Sequence, residues 1–212
     1  MEFKDVLRHR RMVRTFEPRA VPETTLRGLL RMARRAPSAG HTQPLELVVV
    51  RDPEVRRGLA AASWSRGSRP DSGYATVVFC GDLLREAERY GARGVGKYVY
   101  MDVAFAAMLF MLSATDEGLA AGFIGDFHEE HVQAVLGLPP HLVPVAMVIV
   151  GYGSEPPRQR PWRPVREIIH TDRYSPAYDW TSRRLPPQPP EPRQPEARSP
   201  ESRTPGSAGG TP

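Results

Sequence analysis

The side chains with the most chemistry to offer fall in three places. Near the start, Arg10, Arg11 and Arg14 stand close together, with Met12 among them. Far downstream, Arg158 and Arg160 alternate in the stretch Glu155-Pro-Pro-Arg-Gln-Arg-Pro161. Proline forbids helix there, so the stretch reads as extended. Both guanidinium groups then point to one side and can clamp an anion in a fork. The third place is Ala36-Pro-Ser-Ala-Gly-His-Thr-Gln-Pro44. Pro37 and Pro44 stiffen the ends of this loop, and Gly40 permits positive φ or a close backbone approach. Ser38, Thr42 and Gln43 supply short hydrogen-bonding groups, which suit one edge of a flat, polar, heteroaromatic ligand. Ser38 has no His/Asp constellation around it to make it a nucleophile, so its role is hydrogen bonding. His128 and His131 lie at i, i+3 beside Glu129 and Glu130, but no third ligand is evident and no metal is expected.

The elements that must hold these groups follow from periodicity. Phe3 to Arg11 reads as a helix that gives way to an irregular or extended Arg11–Phe16. Pro22 and Glu23 open a second helix, in which Leu26, Leu29, Leu30 and Ala33 recur at helical spacing and deliver the chain to the loop. Leu45–Val50 is a strand, Asp52-Pro53 starts a short helix, and Ser63–Gly73 is a polar loop. Tyr74–Gly81 is a second, buried strand. Leu83–Tyr90 is a short amphipathic helix, broken by Gly91–Gly96. Lys97–Gly118 is a long helix, apolar nearly all round, expected in the core or at a subunit interface. Leu119–Phe127 is a short third strand closing on a glycine turn, His128–Leu136 a helix, Val143–Tyr152 the most strand-like run, and Val165–His170 a candidate last strand. No G-x-G-x-x-G follows the first strand. The fold class expected is α+β, with one mixed β-sheet flanked by helices.

Composition narrows the function. A chain of 212 residues fits one domain plus a tail and can bury a real core. The domain is expected over residues 1–180. From Arg183 onward the residues are Pro, Glu, Arg, Ser and Gly, so 181–212 is expected to be a disordered tail. The net charge of +5 is almost entirely arginine, with Lys4 and Lys97 the only lysines. Three partners suit such charge: solvent, nucleic acid, or a phosphate-bearing small ligand that needs only two or three arginines. Nucleic acid fares worst, because there is no aromatic-interleaved basic sheet, no zinc spacing and a poor helix-turn-helix signal. The single Cys80 excludes an intrachain disulfide and any multi-cysteine metal site. No apolar run approaches the roughly 20 residues of a membrane span. The opening Met1-Glu-Phe-Lys-Asp has no apolar signal segment, so no membrane association and a cytoplasmic location are expected.

Four pieces in register, Arg10–Phe16, Ala36–Pro44, Gly118-Leu-Ala-Ala-Gly-Phe-Ile-Gly125 and Glu155–Pro161, resemble the FMN-dependent nitroreductase family, as does Val132–Tyr152. The likeness covers roughly residues 5 to 174. It implies an intertwined homodimer holding FMN without a covalent bond, with NADH or NADPH as reductant. It also implies two-electron, ping-pong reduction of a nitroaromatic or quinone-type acceptor. By the same resemblance, Arg10, Arg11, Met12, Arg14, Arg158 and Arg160 contact FMN. Pro37, Ser38, Ala39 and Gln43 reach it from the partner subunit. The backbone N–H groups of Ile124 and Gly125 face flavin N5 and O4, and no side-chain nucleophile or base is implied. Reduction places negative charge near N1 and O2, which a nearby cation stabilises. Met12 stands where the family usually has serine, and His41 where it usually has asparagine. His41 and Tyr98 are therefore candidates for substrate contact. Specialised members of the same fold, such as azoline dehydrogenases, dehalogenases and flavin-fragmenting enzymes, remain open, as does an FMN-binding protein without turnover.

Overall fold

The computed structural model describes residues 1–64, 69–155 and 161–174. Its first unit, Met1–Gln159, contains the elements α1 (Phe3–His9), α2 (Glu23–Ala33), β1 (Leu45–Val50), α3 (Pro53–Ala61), β2 (Ala75–Asp82), α4 (Leu83–Arg93), α5 (Val99–Asp116), β3 (Ala120–Ile124), α6 (Glu129–Leu136) and β4 (Leu142–Gly151). Most helix boundaries have a local cause. Asp52 caps α3 by accepting from the Glu54 and Val55 amides, with Pro53 in the first turn. Asp82 does the same for α4 through Leu84 and Arg85. Gly137 ends α6 in the left-handed region at φ 63°.

The four strands line up as β1-β2-β4-β3, and every pairing is antiparallel. The α+β class is the one expected. The strands pair antiparallel throughout, and Met12 adds one isolated parallel bridge, to Ala121 of β3. Since β2 and β3 are both antiparallel to β4, they run the same way, and α4 and α5 form the crossover between them. Both faces of the sheet are covered. Val77, Phe79, Ala146 and Val148 pack toward α2 and α5, where Phe79 meets Phe110 edge to face at 5.6 Å. Val78, Cys80, Met147 and Ile149 pack on the other side, with Leu59 of α3 and Val132 of α6. Coverage on both faces is why β2 and β4 read as continuous apolar runs rather than alternating ones. Pro144 lies inside β4 without a donor for the ladder, and the register slips beside it, between Phe79 and Cys80.

Gly91, at φ 53° and ψ −140°, breaks the helical run after Tyr90, as the glycine cluster predicts. A π-helical turn, Gly94–Tyr98, then leads into α5. By length and composition alone, Leu83–Asp116 could cross a membrane. One side of α5 nevertheless lies in the core through Val103, Ala106, Ala107, Phe110 and Ala114. The other side is bare: Met101, Phe105 and Met108 are 43%, 46% and 44% exposed and fall on one stripe. Phe3 and Leu7 of α1, which packs on α5, are bare as well.

The second unit, Arg160–Pro212, is described only over 161–174. Val165–His170 is not a strand. Pro164 precedes a 3-10 turn at Val165–Glu167, and Val165, Ile168 and Ile169 are exposed with no strand partner among the described residues. The expected boundary at 180 and the tail 181–212 lie outside the described residues.

Candidate functional site

The basic segment at the start is held between two pieces of the sheet region. Arg10 ends α1, and the chain becomes extended. Met12 forms a parallel bridge with Ala121, and the Val13 amide donates to the Ala121 carbonyl at 3.1 Å. On the opposite side, the Ser154 amide donates to Thr15 at 3.1 Å and the Glu17 amide to Tyr152 at 2.8 Å. Gly122 makes the close approach possible, because a Cβ there would lie 2.5 Å from the Val13 carbonyl oxygen. Val13 is 1% exposed and pins the segment, while Met12 and Arg14 face outward. The segment lies along the first residues of β3, the strand that ends at Ile124. Arg10–Arg14 and Ile124–Gly125 thus come together in one chain.

Gly125 is exposed, and its amide makes no hydrogen bond among the described residues. Ile124 is buried at 2%. Arg11 is directed elsewhere. It lines a cleft of about 230 Å³ with His9, Val13, Thr115, Gly118 and Leu119. Its Nε is buried without a partner among the described residues. The Arg14 amide donates to Glu155 Oε1 at 2.5 Å, so the chain toward Arg158 and Arg160 leaves from beside Arg14. Arg158 and Arg160 themselves lie outside the described residues.

The Pro37–Pro44 loop is a separate construction. Ala39–His41 forms a 3-10 turn, and Gly40, His41 and Gln43 all have positive φ, at 49°, 61° and 53°. For His41 and Gln43 this conformation costs on the order of 1–3 kcal/mol each, so the surroundings must impose it. Several bonds do so. Ser38 Oγ accepts from the Gln43 amide at 3.0 Å, and Arg89 donates to the Gly40 carbonyl at 2.7 Å. The Ala39 amide donates to Asp102 Oδ2 at 2.8 Å, and the Thr42 hydroxyl donates to Glu86 Oε1. The Gln43 side-chain amide lies 2.5 Å from His41 Nε2, so the two exposed side chains brace each other. Pro37, His41 and Gln43 are exposed, and Ser38 and Ala39 are half-buried.

In a single chain the loop and the arginine segment do not meet. The loop is tied to Asp102 in the first turn of α5, whereas the segment binds Ala121 just beyond the last turn. Thr115 follows Asp102 by 13 residues, about 20 Å along a helix rising 1.5 Å per residue. Tyr98 lies at the loop end: its hydroxyl accepts from Arg93 Nε at 2.7 Å, and its ring meets Tyr90 edge to face at 5.0 Å.

Sequence reasoning missed Glu86 and Asp102, both buried and both with carboxyls pushed up by that burial. Asp102 carried a signal, as an acid set in the apolar first turns of α5; Glu86 sat among other charges and carried none. Arg56, 9% exposed, was also missed. It donates through Nε to Pro70 O at 3.1 Å and through Nη2 to Ser72 O and to Gly73 O, the latter at 3.1 Å. Among the described residues, no group of three or more His, Cys, Asp or Glu is placed to hold a metal; His128 meets Trp64 edge to face and lies tilted against His131.

An exposed cationic face next to a free backbone amide fits an anionic group that carries a hydrogen-bond-accepting ring edge. The chain is also similar to known proteins. The family model "Nitroreductase family" matches residues 7–79 and 68–152. A protein of Thermus thermophilus named NADH dehydrogenase is 32% identical over 184 residues, which cover 73% of this chain and 88% of the relative. A Bacillus subtilis protein named FMN reductase (NADPH) is 25% identical over 185 residues, covering 80% and 73%. The crystal structure of a nitroreductase family protein from Clostridium difficile superposes with a TM-score of 0.73 at 26% identity, covering 82% of this chain and all of that one. With motifs, fold and match in register over most of its length, this chain belongs to the nitroreductase family.

Proposed function

We propose that this chain is an oxidoreductase that holds FMN without a covalent bond, takes reducing equivalents from NADH or NADPH, and acts as a homodimer. Electron-poor acceptors of the nitroaromatic or quinone class would be reduced by two electrons. One site with two successive occupants implies ping-pong kinetics.

The observation that carries this reading is the separation of the two half-sites along α5. The loop lies at one end, the arginine segment lies at the other, and a bare apolar stripe of Met101, Phe105 and Met108 runs between them. A two-fold axis across that stripe would lay two α5 helices together in opposite directions. Each loop then arrives at the partner's arginine segment, as an isologous interface requires. The site is incomplete without the second copy.

When bound, FMN supplies the hydride-accepting and hydride-donating centre. The protein's part is position and charge. Arg10 and Arg14, with Arg158 and Arg160, are assigned to the phosphate and to the charge that builds near N1 and O2. The Gly125 amide, with that of Ile124, is assigned to N5 and O4, because a free donor at an exposed strand end is available there. Ser38 and Gln43 of the opposite subunit complete the polar edge. Met12 offers no hydrogen bond of the kind a serine would. His41, exposed on the loop beside Gln43, is assigned to substrate contact.

Purified protein should be yellow, release FMN on denaturation, and bleach anaerobically with NADH or NADPH. A colourless protein that takes up no FMN sinks the reading. A yellow protein that neither nucleotide bleaches refutes the reductase assignment. Arg160→Ala should reduce FMN retention far more than it reduces thermal stability, and unchanged FMN content would refute the phosphate clamp.

A further inference from the structure

We propose that Glu86 and Asp102 hold one shared proton and act as positioning residues, locking the Pro37–Pro44 loop in the shape that meets the flavin of the opposite subunit. The flavin clause rests on the function proposed above; the lock itself rests on geometry alone.

The two carboxyls come from the two helices that meet at the Gly91 break. Glu86 is fully buried and Asp102 is 7% exposed. Gly94 lets the helices approach, since a Cβ there would lie 2.4 Å from the Glu86 carbonyl oxygen. The loop is fastened at two points, one on each acid: the Ala39 amide on Asp102 and the Thr42 hydroxyl on Glu86. Between those points His41 takes a left-handed φ of 61°, which a residue with a Cβ adopts only when its surroundings impose it. The fastening is therefore what imposes the shape.

A count of protons shows that one is missing. The cluster contains two carboxyl groups, and the donors reaching it are one amide N–H and one hydroxyl. The Thr42 hydroxyl is also within 3.0 Å of the Ala39 carbonyl, so its single proton is contested. Glu86 Oε2 is buried and receives no donor from any described residue. Two bare carboxylates side by side in such a place are unfavourable, because each is stripped of water and each repels the other. A proton on Glu86, donated toward Asp102, removes both difficulties: it converts repulsion into a charge-assisted hydrogen bond and leaves Asp102 ionised to accept from Ala39.

Burial is the main cause that lifts Glu86, and the neighbouring Asp102 lifts it further. Burial also raises Asp102, while the Ala39 amide and the Glu86 hydrogen bond pull it back down. The charged and titratable groups on the surrounding elements are His41 on the loop, Asp82 at the end of β2, Arg85, Glu88, Arg89, Tyr90 and Arg93 on α4, Lys97 and Tyr98 in the π-helical turn, and Tyr100 on α5. Arg89 is engaged by the Gly40 carbonyl and Arg85 by Asp82, and none of these side chains hydrogen-bonds to the pair. The sign follows from linkage. The folded chain keeps a proton that the unfolded chain has already lost, so the lock is intact on the acid side of the raised titration. It opens as pH climbs through that titration, when the second carboxylate forms and repels the first. Glutamine is the mimic of the protonated acid, since Glu86→Gln keeps a donor and an acceptor in the same volume and cannot ionise.

The test uses the full chain and two readouts that need no flavin. Hydrogen exchange over residues 36–44 reports the lock, and the infrared band of a buried carboxylic acid reports the proton. In the natural protein the acid band should persist well above the ordinary carboxylate range, and loop exchange should accelerate as the band disappears. Glu86→Gln should abolish the band, keep the loop protected and make that protection independent of pH. Thr42→Val, which removes one fastening without touching the core acids, should speed loop exchange about fivefold, the worth of one hydrogen bond. The absence of the acid band in the natural protein, a Glu86→Gln loop that still loosens at high pH, or a Thr42→Val loop exchanging at the natural rate would each overturn the lock. FMN uptake by visible absorbance is then scored separately. A proton-dependent lock in a chain that takes up no FMN overturns the flavin role and the function proposed above. A flavin-binding chain whose loop ignores Glu86 overturns the lock alone.

Discussion

Replacing Gly122 by alanine puts a methyl group where the backbone of the arginine segment already is. The new Cβ would lie 2.5 Å from the Val13 carbonyl oxygen, with Ile149 Cδ1 at 3.7 Å behind it. To reach ordinary contact the Val13 carbonyl must withdraw by about 1 Å, and the hydrogen bond from the Val13 amide to Ala121, now 3.1 Å, stretches with it. Val13 is 1% exposed, so its side chain leaves a gap when it moves. The strain of an added methyl is about 1–3 kcal/mol and the weakened hydrogen bond adds about 1 kcal/mol. Exchanging glycine for alanine in a strand returns about 0.5–1 kcal/mol. The net is a loss of about 2 kcal/mol, or roughly 4–8 °C in Tm for a chain of this size. Circular dichroism melts, at one fixed protein concentration because a dimer makes Tm concentration-dependent, would measure it. The same displacement separates Arg10–Arg14 from Gly125, so FMN content should fall as well. Gly28→Ala is the control: that helical glycine has nothing within 4 Å, and the change should stabilise. Gly122→Ala protein with an unaltered Tm and full FMN would refute the account of how the arginine segment is placed.

Arg56→Met should cost about 3 kcal/mol in urea unfolding, because the Ser72 and Gly73 carbonyls and part of Pro70's bonding lose a buried donor; a change below about 1 kcal/mol would remove Arg56 as the clasp of that loop. Cys80 is buried and its thiol is pushed up to about 12, chiefly by desolvation, so a disulfide reagent at pH 8 should label the native protein only as fast as it unfolds. Rapid labelling of folded protein would contradict the placement of β2 at the centre of the sheet. Phe105→Asp should shift gel filtration toward a monomer and release FMN while leaving the chain folded, since the side chain is 46% exposed in one copy. An unaltered elution volume would refute α5 as the subunit contact.

Elements with strong local causes were legible before the fold was known. Leu45–Val50, the Asp52-Pro53 helix start and the break at Gly91 stand where their residues place them. The antiparallel sense of the sheet was not legible, because a strand buried on both faces shows a continuous apolar run whichever way its neighbours point. Val165–His170 misled through composition: three β-branched residues suggest a strand, yet a strand also needs a partner, and Pro164 starts a turn instead. The arginines and the polar loop announced themselves through residue type. Their separation along α5 did not, because it depends on which helix end each one docks against. Glu86 and Asp102 are 16 positions apart and become one unit only once the chain doubles back at Gly91.

The hydrogen bond between the Arg14 amide and Glu155 joins residues 141 positions apart, and it bears on how the protein is made. A ribosome adding roughly 5–20 residues per second needs about 7–30 s to travel from one to the other. Through that interval the first arginine cluster has neither Ala121 nor Glu155 to dock against for most of the time, and the arm that carries it stays unpaired. The edge that carries Arg10–Arg14 is therefore among the last parts of the domain to be assembled, after the sheet and α5 exist. On the function proposed above, flavin would meet a chain that has already folded, and a shortage of FMN should yield soluble, refillable apoprotein rather than a misfolded product.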